Sequence, residues 1–162
     1  MLLGLVAMAW SIATPPALAQ RPAGVKVRES LYVVSVYDAK RDPAADLKLA
    51  ITKAQAENKR VLLDVGGDWC VWCHILDDYL GRNKTVGDAF AASFVILKVH
   101  WSPEHRNEAF LGAYPDTNGY PHFYILDASG AYLGQQDTGA LEQGDSYSRI
   151  RMLYFAEQWR VK

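Results

Sequence analysis

Cysteine is scarce in this chain, with only two, Cys70 and Cys73, in 162 residues. One pair cannot build the multi-disulfide framework that stabilises small secreted domains, and closing so short a loop removes little entropy from the unfolded chain. A strong excess of charge is also missing, because 17 basic residues face 18 acidic ones. No basic patch predicts binding to nucleic acid. The two cysteines are therefore better explained by chemistry than by stability.

Charged residues are missing from the start of the chain, where none occurs before Arg21. Residues 2–12 are mostly apolar, but this run is shorter than the roughly 20 residues of a membrane-spanning helix. Residues 17–19, Ala-Leu-Ala, match the small-x-small pattern of a signal peptidase site. We therefore predict a secretory signal at residues 1–19, cleaved before Gln20, and a periplasmic or secreted protein with no stable membrane span. The alternative is an uncleaved apolar anchor.

The remaining chain predicts one α/β domain. Residues 20–30 are polar and are predicted to form a flexible mature N-terminus, and residues 31–162 are long enough to bury a core. Strand-like runs occur at Leu31–Tyr37, Arg60–Val65, Phe94–Val99, His122–Leu126 and Ala131–Gly134. Helical patterns occur at residues 43–58, at 70–81 with a continuation over 85–92, at 103–111 and at 146–159. This order predicts a central mixed sheet flanked by helices.

The last predicted helix carries two adjacent apolar stripes. Ile150 and Tyr154 share one face, together with Leu153, and Met152 and Phe155 lie beside it. A helix with this pattern is expected to close over the sheet.

Cys70-Val71-Trp72-Cys73 directly follows a buried strand and a glycine turn. A dithiol with this spacing can open and close a disulfide without moving the backbone, so redox chemistry is the leading hypothesis. Unpaired N–H groups and the helix dipole favour a thiolate at a helix N-terminus, which makes Cys70 the expected nucleophile. Cys73, one turn further in, is expected to resolve the mixed disulfide.

Other residues stand in a pattern that resembles the thioredoxin superfamily. Asp64 precedes Cys70 by six residues, Trp69 directly precedes it, Tyr120-Pro121 stands before a predicted hairpin, and Gly139 lies in a turn before the last helix. The pattern is most similar to exported thioredoxin-like proteins and to the periplasmic reductase domain of the disulfide-reductant transporter. The resemblance implies a thioredoxin-like fold and a protein-disulfide reductase that needs no metal or organic cofactor. It also implies protein disulfide substrates and a redox partner protein, such as a membrane electron donor.

Burial, strand position and the resemblance together predict roles for single residues. Asp64 would accept the proton of Cys73, with a hydrogen-bonded structural aspartate as the alternative. As the resemblance implies, Pro121 would be cis and, with Tyr120, would position an extended substrate; the alternative is a trans proline in an edge turn. Lys98 on the neighbouring strand would either pair with Asp64 or extend to solvent.

The aromatic and histidine residues near the cysteines are less informative. Trp72 is predicted to face substrate, and Trp69 to pack as support. His74 and His122 adjoin Cys73 and Pro121 and could tune the thiolate when protonated, although solvated histidine is the default expectation for both. Two departures from cytosolic thioredoxin, Val71-Trp72 for Gly-Pro and His74 for a basic residue, leave the redox potential open.

Three other functions remain open at this point. Cys70-Val71-Trp72-Cys73-His74 matches the C-x-x-C-H haem attachment motif of c-type electron-transfer proteins. A structural zinc site would need two further ligands, and no second pair of suitable spacing is present. A noncatalytic thioredoxin-like binding module is the third alternative.

Overall fold

The structure is a computed structural model that describes residues 22–162. The predicted secretory signal at residues 1–19 lies outside the described residues. Within residues 22–162, none of the helices is both long and apolar enough to cross a membrane.

Helices pack on both faces of one mixed sheet. The strands of this sheet are β1 (Tyr32–Val34), β2 (Arg60–Gly66), β3 (Phe94–His100), β4 (His122–Leu126) and β5 (Tyr132–Asp137). The helices are α1 (Pro43–Glu57), α2 (Val71–Arg82), α3 (Lys84–Ser93), α4 (Glu108–Leu111) and α5 (Arg149–Gln158). A small hairpin pairs β6 (Glu142–Gln143) with β7 (Ser146–Tyr147), and 3-10 turns lie at Glu29–Leu31 and Thr138–Leu141.

Strand β2 is the middle strand of the sheet, whose order is β1-β3-β2-β4-β5. It runs parallel to β3 and antiparallel to β4. A strand covered on both faces carries almost no polar side chains, which explains the continuous apolar run in its sequence. The prediction of a mixed sheet flanked by helices is confirmed.

The sheet separates two hydrophobic cores. Side chains of β2 alternate between them, because successive residues of a strand point to opposite faces. Leu63 and Val65 join the core that packs around Ala50 of α1, whereas Leu62 joins the core that contains Leu76 of α2. Asp64 therefore lies on the face that α2 covers.

Helix α1 begins and ends where its sequence predicts. The Asp42 side chain accepts hydrogen bonds from the N–H groups of Ala44 and Ala45, and Pro43 is the first helical residue. The helix stops at Asn58, which has a left-handed φ of 51°. Asparagine tolerates this conformation better than most residues.

The residues before β1 lie along α2 and α3. The Lys26 N–H donates to Asp78 Oδ1 at 2.8 Å, and Arg82 Nη2 donates to the Gly24 carbonyl oxygen at 2.9 Å. Arg28 also pairs with Asp88 at 2.7 Å. The segment predicted to be flexible thus makes specific contacts in the folded state.

Four elements differ from their predicted bounds by three residues or more, and one of them is strand β5, which ends at Asp137 instead of Gly134. The last helix begins at Arg149 because residues 146–147 pair with residues 142–143 as a hairpin. The short helix α4 begins at Glu108 because Asn107 before it has a left-handed φ of 52°. Strand β1 is limited to Tyr32–Val34, and its register with β3 shifts within that stretch.

Of the two apolar stripes on α5, only one faces the sheet. Met152 and Phe155 are buried, whereas Ile150 is 81% exposed and Tyr154 is 72% exposed. Phe155 packs against Phe90, Phe94 and Phe123. The aromatic cluster under the helix therefore selects the stripe that packs inward.

Candidate active site

Cys70 and Cys73 form a disulfide at the amino end of α2, so the structure describes the oxidised protein. Their Cα atoms lie 5.3 Å apart. Cys70 caps the helix, and its Sγ accepts a hydrogen bond from the Cys73 N–H at 3.1 Å. Cys70 is 4% exposed and Cys73 is fully buried. The amide that contacts the Cys70 sulfur stabilises negative charge there when the disulfide is open.

Asp64 is buried in β2 beneath the helix that carries the disulfide, with 1% of its surface exposed. Burial raises its pKa to about 6, the charge of Lys98 lowers the pKa, and the charge of Asp77 raises it. A carboxyl group with such a pKa can gain or lose a proton near neutral pH.

Gly66, at the end of β2, lets the disulfide and Tyr37 pack closely above Asp64. A Cβ atom at Gly66 would lie 2.5 Å from Cys73 Sγ and 3.2 Å from the Tyr37 hydroxyl. The hydroxyl is close enough to Asp64 to favour the ionised carboxylate, although neither it nor Asp64 Oδ1 makes a hydrogen bond of standard geometry. Burial, followed by the charges of Asp64 and Asp77, raises the pKa of Tyr37. Tyr37 therefore stays protonated and can donate.

Lys98 pairs with Asp77, and neither predicted arrangement of its side chain occurs. Its Nζ lies 2.6 Å from Asp77 Oδ2, and both side chains are almost completely buried. The Tyr32 hydroxyl donates to Asp77 Oδ1 at 3.1 Å. The same ammonium lies 4.3 Å from the centre of the Tyr37 ring. Lys98 therefore acts on Asp64 through its charge and donates its hydrogen bond to Asp77.

The Tyr120–Pro121 peptide bond is cis and leads directly into β4. The Thr138 hydroxyl donates to the Pro121 carbonyl oxygen, and the Gly139 N–H donates to Asp137 Oδ1 at 2.9 Å. Gly139 thus belongs to the turn that fixes the proline loop. Tyr120 packs against the buried cluster that contains the disulfide.

His122, directly after this loop, is buried, whereas a solvated side chain is expected from the sequence. Its Nδ1 lies 2.8 Å from the Thr117 hydroxyl, and its Nε2 lies 3.1 Å from Gln135 Oε1. Burial lowers its pKa. These contacts make His122 a structural support of the loop.

The two tryptophans beside the cysteines differ from their predicted exposures. Trp69, predicted to pack as support, is 46% exposed. Its ring lies 5.9 Å from the ring of Trp101 and 5.8 Å from that of Tyr120. Trp72, predicted to face substrate, is partly buried and packs edge-on against Tyr147 at 5.7 Å.

His74 is also buried, with 7% of its surface exposed. Its Nε2 lies 2.7 Å from the Asp68 carbonyl oxygen, which can only accept, so this nitrogen carries the proton. The ring therefore holds the loop before Cys70, an arrangement that argues against His74 as a haem ligand. Within residues 22–162, no three His, Cys, Asp or Glu side chains are grouped to hold a metal ion.

Sequence reasoning missed three residues of this site, Tyr37, Asp77 and Trp101. Asp77 lies four residues after Cys73 in α2, a spacing that places both on one face of the helix. That spacing was the available signal for Asp77. Tyr37 and Trp101 come from loops, whose path no periodicity predicts.

A mixed sheet whose central strand leads into a helix capped by a cysteine pair is the fold of thiol–disulfide oxidoreductases. A family model described as Thioredoxin-like matches residues 42–128, more than half of the chain. The chain therefore belongs to this thioredoxin-like family, and the predicted fold is confirmed.

Relatives and solved structures agree with this assignment. Human spermatogenesis-associated protein 20 is 38% identical over 123 residues, which are 68% of this chain and 15% of the human protein. The thiol:disulfide interchange protein DsbD of Actinobacillus pleuropneumoniae is 29% identical over 110 residues, 67% of this chain and 18% of that protein. The chain thus spans less than a fifth of these curated relatives.

Two crystal structures share the fold over most of this chain. The disulphide isomerase of Xylella fastidiosa is 25% identical with a TM-score of 0.62, covering 75% of this chain and 94% of that one. The oxidised DsbD C-terminal domain of Neisseria meningitidis is 22% identical with a TM-score of 0.53, covering 77% of this chain and 99% of that domain.

Proposed function

We propose that this protein is an exported thiol–disulfide oxidoreductase that reduces disulfide bonds of other proteins. One observation carries the proposal, namely a cysteine pair at the start of α2 above a buried carboxyl group, Asp64, whose pKa is raised to about 6. A structural disulfide would need no proton acceptor beneath it. Such a carboxyl group serves a thiol that must lose its proton during turnover.

The exchange takes two steps in the reduced enzyme. The Cys70 thiolate attacks one sulfur of a substrate disulfide, forms a mixed disulfide and releases the first substrate thiolate. Cys73 then loses its proton, attacks the Cys70 sulfur and releases the second substrate thiolate. The substrate gains two electrons and two protons, and the enzyme ends as the disulfide that the structure describes. A dithiol donor protein returns two electrons and two protons to the pair.

Asp64 takes the proton of Cys73 in the second step. Both groups are buried, so bulk water is a poor acceptor for this proton. Tyr37 lies against Cys73 and Asp64 and is placed to stabilise the carboxylate before the transfer.

Tyr120 and Pro121 position the substrate beside Cys70. The hydrogen bond from the Thr138 hydroxyl to the Pro121 carbonyl oxygen holds this loop next to the cysteine cluster. Trp72, which is partly exposed beside the cysteine pair, is proposed to contact substrate as well.

The sequence and the relatives support the proposed site of action and the proposed redox partner. Residues 1–19 have the pattern of a secretory signal, which supports export of the mature protein to the periplasm or out of the cell. The similarity to a thiol:disulfide interchange protein supports protein disulfide substrates and a redox partner protein, and we propose a membrane electron donor as that partner. Mass spectrometry of the protein from the periplasmic fraction tests the export, with Gln20 as the expected first residue.

Variants of the two cysteines test the exchange itself. We expect Cys70→Ser to abolish reduction of a protein disulfide, because the attacking sulfur is lost. We expect Cys73→Ser to accumulate mixed disulfides, visible on a non-reducing gel. Equal trapping by both variants would contradict the assigned roles.

The redox potential tests the direction of exchange. Equilibration in dithiothreitol or glutathione buffers should give a value near the thioredoxin end, about −270 mV. A value near the oxidising end, about −120 mV, would make the protein a disulfide donor.

A further inference from the structure

Three aromatic side chains form a surface beside the disulfide, which we call the aromatic platform: Trp69, Trp101 and Tyr120. The rings of Trp101 and Tyr120 are stacked, with centres 4.4 Å apart. Trp69 directly precedes Cys70 and is 46% exposed, and Tyr120 precedes Pro121. A polypeptide whose disulfide reaches Cys70 must therefore pass next to the platform.

The exposed indole of the platform offers only its ring to a ligand. The Trp69 Nε1–H already donates to the Trp101 carbonyl oxygen at 2.8 Å. A Cβ atom at residue 67 would lie 2.4 Å from that nitrogen, so Gly67 allows the indole to lie against the backbone. Because the polar atom is satisfied, recognition of a cation at Trp69 uses the electron-rich face of the ring.

The charges around the platform are mostly negative. Two carboxylates, Asp68 and Glu104, lie in the loops that carry Trp69 and Trp101. Two more, Glu108 and Asp116, line a cleft beside Tyr120. One guanidinium, that of Arg106, lines the same cleft and acts electrostatically on Tyr120, so it offsets one of these four negative charges. In residues 22–162, none of these five groups makes an ion pair. An electron-rich surface with an acidic border is complementary to a cation.

We infer that the aromatic platform selects protein disulfides that carry a lysine or arginine next to the attacked cysteine. This inference rests on the proposed function, since it names the substrate class of the same site. The cationic head lies against the exposed ring of Trp69, which Trp101 and Tyr120 support from the protein side, and the carboxylates attract the head from the edge. An apolar side chain would use the rings alone and leave the acidic border without a partner.

The test uses disulfide-linked peptides of one sequence that differ only at the residue after the cysteine, which is Lys, Ser, Glu or Phe. With the intact protein, we expect kcat/KM for the Lys peptide to exceed that for the Ser peptide about fivefold. The Glu peptide should be the slowest. Raising the salt from about 50 mM to about 500 mM should reduce the difference between Lys and Glu, because salt screens exposed charges.

Variants assign this preference to the platform. Trp69→Leu should remove the advantage of the Lys peptide, and Glu108→Gln with Asp116→Asn should reduce it without touching the packed rings. Tyr154→Leu is the matched control, since Tyr154 is exposed on α5 and lies outside the platform. Equal rates for Lys, Ser and Glu peptides, or a preference for Phe that salt does not change, would overturn the inference while leaving disulfide reduction intact. If no peptide is reduced, the proposed function fails and this inference fails with it.

Discussion

Lys98 on β3 and Asp77 on α2 form a buried ion pair, with 2.6 Å between Nζ and Oδ2. The pair joins the sheet to the helix that carries the disulfide. It also places a positive and a negative charge near Asp64, and these act on its pKa in opposite directions. Stability and proton transfer are therefore coupled at this pair.

The first prediction concerns the stability of the ion pair. Lys98→Met leaves the Asp77 carboxylate buried without its cation, and Asp77→Asn leaves the ammonium buried without its anion. Each single variant should lose about 3–5 kcal/mol of unfolding free energy. The double variant should lose much less than the sum, because neither member of the pair is then left as a lone buried charge. Urea unfolding of the four proteins measures this coupling, and additive losses would show that the pair does not act as a unit.

The second prediction concerns Asp64 and the pH dependence of stability. Its pKa rises from 3.8 to about 6 on folding. Between these values the folded state binds more protons than the unfolded state, so stability falls as pH rises through this window. At pH values above this window, the ionised Asp64 carboxylate destabilises the folded state by about 3 kcal/mol.

Asp64→Asn removes this titration. We expect the variant to be about 3 kcal/mol more stable than the parent near pH 8, and nearly equal to it near pH 3.5. Denaturant unfolding of the oxidised proteins at the two pH values measures the difference. A constant difference at both pH values would mean that Asp64 does not titrate in this range.

The third prediction concerns the rate at which Cys73 resolves the mixed disulfide. If Asp64 accepts the proton, this rate rises with pH around 6, where the carboxyl group ionises. Asp77→Asn removes a charge that raises the Asp64 pKa, so the midpoint should move to lower pH. Lys98→Met removes a charge that lowers it, so the midpoint should move to higher pH. Single-turnover kinetics of the mixed disulfide give these midpoints, and shifts in the same direction would exclude the electrostatic coupling.

The fold and the redox role of the two cysteines could be predicted from the sequence because both follow from strong local signals. Asp64 is visible in the sequence for the same reason, since a single acidic residue interrupts an apolar strand. Asp77 is harder to recognise in the sequence, because Asp77-Asp78 resembles the polar face of an amphipathic helix. Only the fold shows that Asp77 meets Lys98, whereas Asp78 pairs with Arg82 one turn along the helix.

The tertiary neighbours of a residue explain the other differences. Ile150 and Met152 are both apolar residues of α5, and the cluster of phenylalanines below the helix decides which of them is buried. Trp101 and Tyr120, which are distant in sequence, pack against one side of the Trp69 ring and leave the other side exposed. Such choices depend on long-range packing that local spacing does not encode.

The last prediction concerns the close packing at Gly66. A methyl group at this position would lie 2.5 Å from Cys73 Sγ, well inside van der Waals contact. The sulfur is tied to Cys70, and Tyr37 blocks the other side at 3.2 Å, so neither neighbour can move without disturbing the buried cluster. Gly66→Ala should therefore reduce the unfolding free energy of the oxidised protein by about 1–3 kcal/mol. Gly119→Ala is the matched control, because a Cβ atom there meets nothing within 4 Å and its stability should change little. Equal stability of the two variants in denaturant unfolding would mean that the space between Cys73 and Tyr37 is larger than the structure shows.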